Sequence, residues 1–228
     1  MRNMGTLNPS QASDTTTHSQ RVIDLENAVH EKYLSAEASL PFHGWHHVYF
    51  VKTKAVEFAC ERNADPCLVA AASIVHDLNY LVRKNSGPSA ARRLRRSFLK
   101  TAGFDSAEIE RIEEIVNEAH TATRTDSISA EGAALSDADT LFKALPMTPV
   151  LFAHLYLSEN GIGLRELGSK ILREQMPLVE KDIYFYDPAV REKYLPWAKV
   201  NIQLWREIMA ALDDPDIVSL LDAIDVKL

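Results

Sequence analysis

The chain has 228 residues, of which 46% are hydrophobic and 25% charged, a composition typical of one globular domain with a sizeable core. The formal net charge of −7 argues against a nucleic-acid partner, because binding to a phosphate backbone needs a basic surface. The chain contains no run of about 18 apolar residues, which a transmembrane helix would need, and no secretory signal is apparent. We therefore expect a cytoplasmic protein that contacts no membrane. A homodimer is compatible with this composition.

Residues 1–20 are polar, rich in serine and threonine, and without apolar periodicity, which is typical of a disordered tail. From Val22 onward, apolar residues recur at steps of three and four, as on the buried face of a helix. Pro41 ends this segment, and a second helical pattern follows it. The third helix begins at Asp65 and Pro66, an N-cap followed by a proline at the first helical position. Its apolar residues lie on nearly all sides, so we expect it to be buried.

The next helices are marked by their capping residues. Gly103 closes the fourth helix, and Asp105 and Glu108 form a capping box for the fifth. Ser129 can cap a sixth helix, which stops at Pro146. These signals divide the middle of the chain into three further helices.

No segment alternates between apolar and polar residues in the manner of a strand. Apolar residues continue at helical spacing beyond Pro146, and Pro188 opens a long final stretch. The sequence therefore predicts an all-α fold, a single helical bundle with its site between the central helices. The predicted boundaries are a disordered tail at residues 1–20, a helical domain at 21–212 with its C-terminal helices at 147–212, and a short helical appendage at 213–228.

A group of histidines precedes the second helix. His43, His46 and His47 lie within five positions, although the whole chain has only 8 histidines. Histidine serves as a metal ligand and as a general acid, and it also occurs at the polar start of a helix. The partners that these side chains find elsewhere in the chain decide between the three roles.

Two other stretches place polar residues on apolar helices. His76 and Asp77 end the third helix, where a carboxylate is costly unless a cation or several donors compensate it. Asp139 lies four residues after Leu135 and three before Phe142, so its side chain leaves from the apolar face of the sixth helix. Each residue alone is equally well interpreted as a helix cap, an arginine partner or a satisfied core histidine. Their conjunction favours a divalent metal, which would satisfy all of these groups together.

The order His, His-Asp, Asp on successive helices resembles the HD-domain metal-dependent phosphohydrolases. Their first signature, an aromatic residue, His, a small polar residue, Trp, any residue and His, matches residues 42–47, and their Ala-Asp-any-Leu segment matches residues 138–141. The similarity covers residues 41–145. It implies one divalent ion, such as Mn, Fe, Co, Ni, Zn or Mg, and no second ion. The implied ligands are His47, His76, Asp77 and Asp139.

The resemblance also implies a hydrolase of phosphate esters, a phosphomonoesterase or phosphodiesterase. Its substrate would be a small phosphorylated molecule such as a nucleotide, attacked at phosphorus by a metal-activated water. The implied catalytic residues are Asp77, which would orient the water, and His43. His43 precedes His47 by one helical turn and would bind the phosphate or donate a proton to the leaving oxygen, with a helix cap as the alternative. His46 points about 100° away from His47 and is expected to take no part.

Further residues bear on the substrate. His120 ends the fifth helix and is expected to contact substrate or to act as an auxiliary ligand. Tyr80 stands where deoxynucleotidase-like and guanosine-tetraphosphate-hydrolase relatives carry Glu, so those two activities are disfavoured. Lys84, Arg92 and Arg96 are candidate binding residues for a second phosphate, and a solvated helix face is the alternative.

Two other functions are compatible with the same resemblance. The protein could keep the fold and the metal as a binding or regulatory module without turnover. It could also be a di-iron oxygenase, but those relatives usually have two histidines between the His-Asp doublet and the final aspartate. Only His120 lies in that interval here, which disfavours the oxygenase.

Overall fold

The computed structural model describes residues 9–121 and 124–223, and every regular element within them is helical. The predicted all-α class is therefore confirmed, and the described residues form one domain. Two short 3-10 helices, Glu37–Ser39 and Pro88–Ala91, lie between longer elements. The α-helices are α1 (Pro9–Leu34), α2 (Trp45–Glu61), α3 (Pro66–Val75), α4 (Leu78–Val82), α5 (Arg92–Thr101), α6 (Ser106–Ala119), α7 (Ala130–Ala144), α8 (Thr148–Leu151), α9 (Ala153–Asn160), α10 (Leu164–Glu180), α11 (Pro188–Ala211) and α12 (Pro215–Ala223).

The first helix begins earlier than the apolar pattern indicates. Helix α1 starts at Pro9 and so includes part of the segment predicted as a disordered tail, residues 1–20, while residues 1–8 lie outside the described part of the chain. Leu25 and Val29 are fully buried and hold the second half of α1 against the domain. Once a packed segment has formed a helix, each further residue adds a hydrogen bond without needing an apolar face of its own.

Helix α3 lies at the centre of the core. Its N-terminus has the predicted cap, since the Asp65 carboxylate accepts hydrogen bonds from the backbone N–H groups of Cys67 and Leu68. Residues 69–75 are all buried, as expected for a helix that is apolar on every side. Helix α2 packs against both α3 and α7. The start of α2, the end of α3 and the middle of α7 consequently face one another in the interior.

Helices α6 and α7 also begin at the predicted caps. Asp105 and Glu108 form the capping box of α6, and Ser129 Oγ accepts a hydrogen bond from the Gly132 N–H at 3.0 Å. The guanidinium of Arg124 then connects α7 to the segment before α11, because it donates to two hydroxyl groups of α7 and to two carbonyl groups of that segment. These contacts fix the orientation of α7 about its own axis.

The C-terminal helices close over one side of α7. Helices α10 and α11 approach closely at Gly168, where an added Cβ would lie 2.7 Å from Met209 Sδ. Helix α12 falls within the predicted appendage, of which residues 224–228 lie outside the described part. No helix of residues 9–121 and 124–223 has the length and apolar character needed to cross a membrane.

Candidate metal centre

The His-Asp doublet lies where the buried helix α3 stops. His76 follows the last residue of α3 with helical backbone angles, and Asp77 leaves the helix before α4 begins. The apolar sequence of α3 thus carries two polar side chains into the interior. His47 enters from the first turn of α2 and is buried, and Asp139 enters from the middle of α7.

The four predicted ligands converge in the structure. His47 Nε2 lies 3.3 Å from His76 Nε2, 3.2 Å from an oxygen of Asp77 and 3.4 Å from an oxygen of Asp139. His76 Nε2 is 3.4 Å from the same Asp77 oxygen. His47, His76 and Asp77 form a group whose ligand atoms could hold one metal ion, and Asp139 lies beside this group, next to His47. We call these four residues the ligand cluster.

The charges of the ligand cluster fit a bound cation. Burial lowers the pKa of His47, but hydrogen bonds with Asp139 and Asp77 outweigh it and raise that pKa to about 9. Burial likewise raises the pKa of Asp77, yet the charge of His76 and hydrogen bonds from both histidines bring it well below its usual range. The two carboxylates therefore require positive charge at this point, which a divalent ion could supply in place of a proton. Imidazole nitrogens together with carboxylate oxygens suit a borderline divalent ion.

Neighbouring groups orient the ligands. His76 Nδ1 lies 2.7 Å from the carbonyl oxygen of Ser73. A carbonyl can only accept, so Nδ1 carries a proton, and in the neutral ring Nε2 would be the nitrogen left to bind a metal ion. On the opposite side, Lys143 Nζ donates to the second oxygen of Asp139 at 2.6 Å and lies 3.2 Å from Thr121 Oγ1. Sequence reasoning missed Lys143, although its position four residues after Asp139 on one helix is the signal that could have found it.

The ligand cluster lines a cavity of about 540 Å³. Three cationic side chains share its wall, Lys143 on α7 and Lys170 and Arg173 on α10. Aromatic and apolar side chains line the same cavity, and this lining comes in part from the C-terminal helices. It includes Phe42, Phe142, Tyr156, Leu167 and Trp205.

His43 is held by a residue that the sequence did not reveal. Its ring is 7% exposed, lines the cavity, and places Nδ1 2.5 Å from Glu159 Oε1. Glu159 lies 116 positions further along the chain, on the short helix α9. It is a single acid within a polar stretch, with no motif around it that would have singled it out.

Of the two other histidines considered from the sequence, His120 lines the cavity and His46 does not. The pKa of His120 is lowered by burial and by the charge of Lys143. His46 is exposed and stacks on Phe152 outside the cavity, with ring centroids 5.4 Å apart, in line with the absence of a role.

The basic residues assigned to a second phosphate lie elsewhere. Arg92 is exposed and Arg96 partly exposed; they pair with Glu110 at 3.4 Å and 2.5 Å, and neither lines the cavity. Lys84 Nζ donates to the backbone oxygen of Glu159 and does not line the cavity either. The three residues predicted to bind a second phosphate therefore lie apart from the cavity of the ligand cluster, because two lie on the solvated face of α5 and the third binds a carbonyl.

Buried Arg95 explains the orientation of the basic helix. Its side chain is inaccessible to solvent and donates to Glu113 at 3.1 Å and 2.6 Å and to the Pro88 carbonyl at 2.6 Å. This buried ion pair turns Arg92 and Arg96 outward. Sequence spacing alone could not tell which arginine of the run would lie inside.

Comparison with protein-family models gave no match, and comparison with curated proteins gave none. Among solved structures, YpgQ from Bacillus subtilis in complex with ADP is similar at 22% sequence identity with a TM-score of 0.59, covering 88% of this chain and 98% of that one. A second crystal structure of YpgQ is 21% identical with a TM-score of 0.56 and coverages of 88% and 99%. The Lin1889 protein from Listeria innocua is 17% identical with a TM-score of 0.54 and coverages of 86% and 96%. At these identities the similarity shows a shared fold alone.

Proposed function

We propose that the protein is a metal-dependent phosphohydrolase of the HD-domain class that acts on a small phosphorylated molecule. The observation that carries this proposal is the convergence of His47, His76, Asp77 and Asp139 on the wall of a cavity of about 540 Å³. A cavity of this size suits a small-molecule ligand. The order of the four residues along the chain, which resembles the HD signatures, supports the same class.

A divalent ion held by the ligand cluster would supply Lewis-acid activation of a water and of a phosphate oxygen. The rest of the site belongs to the protein itself. Asp77 shares its oxygen between both histidines and is placed to orient a water beside them. His43 and His120 are the other two histidines of the cavity wall and are available to contact the phosphate.

The cavity wall carries cations beside its carboxylates: Lys143 pairs with Asp139, and Lys170 and Arg173 lie next to Glu174. These three cations line the cavity, whereas the chain carries a formal net charge of −7. Cations on a cavity wall attract an anionic ligand and bind its phosphate oxygens. We assign to them the role that the sequence had suggested for Arg92 and Arg96.

A nucleotide is the substrate class that we propose to test first. The aromatic side chains Phe42, Phe142, Tyr156 and Trp205 give the cavity an apolar lining that suits a planar base. In addition, YpgQ, which has a similar fold, was crystallised in complex with ADP. The cations would then take the phosphate groups and the aromatic rings the base.

The experiment combines metal analysis with phosphate release. Purified protein would be assayed with Mn²⁺, Ni²⁺, Co²⁺, Zn²⁺ and Mg²⁺ on a panel of nucleotides and sugar phosphates. We expect about one ion per chain and release of phosphate or pyrophosphate from at least one nucleotide. The variant His47→Ala should lose both, while the matched control His46→Ala, which alters the exposed neighbour, should retain both.

Other outcomes would contradict the proposal in different ways. Binding of a nucleotide without turnover under any metal would identify a binding module. An absorption band of an iron pair with an O₂-dependent product would identify an oxygenase. A His47→Ala protein with undiminished metal content would refute the ligand assignment.

A further inference from the structure

Both oxygens of the Glu159 carboxylate form hydrogen bonds with residues that line the cavity. One oxygen meets His43 Nδ1 at 2.5 Å, and the other accepts the backbone N–H groups of Phe42 and His43 at 2.8 and 3.1 Å. Its side chain is inaccessible to solvent. A single buried acid from α9 thus holds both the ring of His43 and the backbone that carries it.

The surrounding rings leave His43 one orientation. Tyr80 stacks on it with ring centroids 3.6 Å apart and an interplanar angle of 14°. Phe42 and Tyr156 meet it edge-on at 4.8 and 5.9 Å. With one face covered and two edges flanked, the ring cannot rotate without disturbing three aromatic neighbours.

The second ring nitrogen of His43 opens on the cavity. Among the described residues, Nε2 has no hydrogen-bond partner, and it is not among the buried polar atoms. The ring itself lines the cavity. Since Nδ1 is occupied by Glu159, Nε2 is the nitrogen through which His43 can meet a ligand.

The charge of Glu159 determines which nitrogen carries the proton. Burial raises the pKa of this carboxyl, but the hydrogen bonds from His43 and from the two backbone groups outweigh it and lower that pKa overall. An ionised carboxylate can only accept hydrogen bonds, so Nδ1 must donate. The His43 ring is therefore held as the Nδ1–H form.

We propose that Glu159 is a positioning residue that fixes His43 with Nδ1–H in the buried hydrogen bond and Nε2 directed into the cavity, where Nε2 accepts a hydrogen bond from a protonated phosphate oxygen (P–OH) of the ligand. The identity of the ligand rests on the proposed function, whereas the orientation of the ring rests on the contacts of Glu159. Glu159 itself touches no ligand and acts through His43.

The first test observes the ring nitrogens of His43 by nitrogen NMR in the full chain loaded with diamagnetic Zn²⁺. The proposal expects a proton on Nδ1 and a shift of the Nε2 resonance when inorganic phosphate or ADP is added. A ring protonated on Nε2 alone, or an Nε2 resonance that neither compound moves, would overturn it. This test needs no variant and no turnover.

The second test is Glu159→Gln. The glutamine oxygen is expected to keep the two backbone N–H groups, which turns its NH₂ group toward Nδ1 and forces the proton to Nε2. The NMR signature of His43 should therefore switch tautomer. The matched control Glu113→Gln removes another buried carboxylate, the partner of Arg95, and should leave the His43 signature unchanged.

Kinetics would add a third readout if the panel reveals a substrate. Loss of the carboxylate behind an oriented histidine lowers kcat/KM on the order of 10- to 100-fold. In a His43→Ala background, Glu159→Gln should cause no further loss, because its effect passes through His43. An additive loss would contradict the positioning role. A protein with the expected tautomer and phosphate response but no turnover would refute the proposed function and leave this inference standing.

Discussion

Two aspartates of α7, two positions apart, lie in opposite electrostatic surroundings. Asp137 is fully buried and saturated by the protein, since its oxygens accept from Arg62 at 2.5 Å and from the N–H groups of Tyr186 and Asp187 at 2.7 and 3.0 Å. One oxygen of Asp139 instead lies 3.4 Å from His47 Nε2 in the ligand cluster, and the other accepts a hydrogen bond from Lys143. An aspartate surrounded by protein donors needs no further partner, whereas one beside the ligand cluster could take a metal ion as a further partner.

The largest effect expected concerns Asp139. The variant Asp139→Asn removes one negative charge from the ligand cluster and should lower phosphate release on the order of 100-fold or more. Divalent metal should also stop raising the midpoint of thermal unfolding, because an ion stabilises only the state that binds it. Calorimetry with and without Zn²⁺ measures this response. A midpoint that rises as much as in the unaltered protein would remove Asp139 from the ligand set.

The counterpart, Asp137→Asn, should affect stability and not metal binding. It removes one of the two carboxylate partners of the largely buried Arg62 guanidinium and leaves Asp187 at 3.0 Å from Nε, a change that costs about 1.5–3 kcal/mol. Urea denaturation should show this loss in the free energy of unfolding. The refolded variant should still take up metal. An unaltered free energy of unfolding would show that the backbone donors, and not Arg62, dominate the surroundings of Asp137.

A smaller effect is expected for Lys143, which pairs with Asp139 and lines the cavity. Lys143→Gln should raise KM for an anionic substrate about tenfold, since hydrogen bonds to charged groups contribute about 1.5–3 kcal/mol. The exposed Lys199→Gln on α11 is the matched control and should leave KM unchanged. Equal KM values for the two variants would exclude Lys143 from substrate binding.

The smallest effect is expected on the outer face of α5. Arg92→Ala and Arg96→Ala each remove an ion pair with the exposed Glu110, and pairs of this kind are screened by solvent and contribute little to stability. Phosphate release and the unfolding midpoint should both stay close to those of the unaltered protein. A loss of substrate affinity in either variant would restore the anion-binding role that the sequence suggested for these two arginines.

Local signals were sufficient for much of the fold. The caps at Asp65, Asp105 and Ser129 start helices where expected, because an N-cap satisfies orphan N–H groups within its own turn. The apolar residues on nearly all sides of α3 likewise predicted this buried helix, with His76 at its end. The early start of α1 escaped prediction, since a helix that extends beyond its packed half needs no apolar periodicity.

The residues of the ligand cluster could also be identified from the sequence. His47, His76, Asp77 and Asp139 stand on helices whose buried faces are readable, and a polar residue on such a face is conspicuous. Their convergence depends on the packing of α2 against α3 and α7, which the signatures could imply but not measure.

Only the tertiary structure determined which residues from distant parts of the chain become partners. Glu159 reaches His43 across 116 positions, and Lys170 and Arg173 line the cavity from α10, outside the signature region. The selection of Arg95 as the buried arginine of α5 is of the same kind. The sequence by itself determined which residues must be buried or capped, because those requirements are satisfied within one helix. Which charges meet was decided by the packing of helices far apart in the chain, because a charge pairs with whatever that packing brings within a few ångströms.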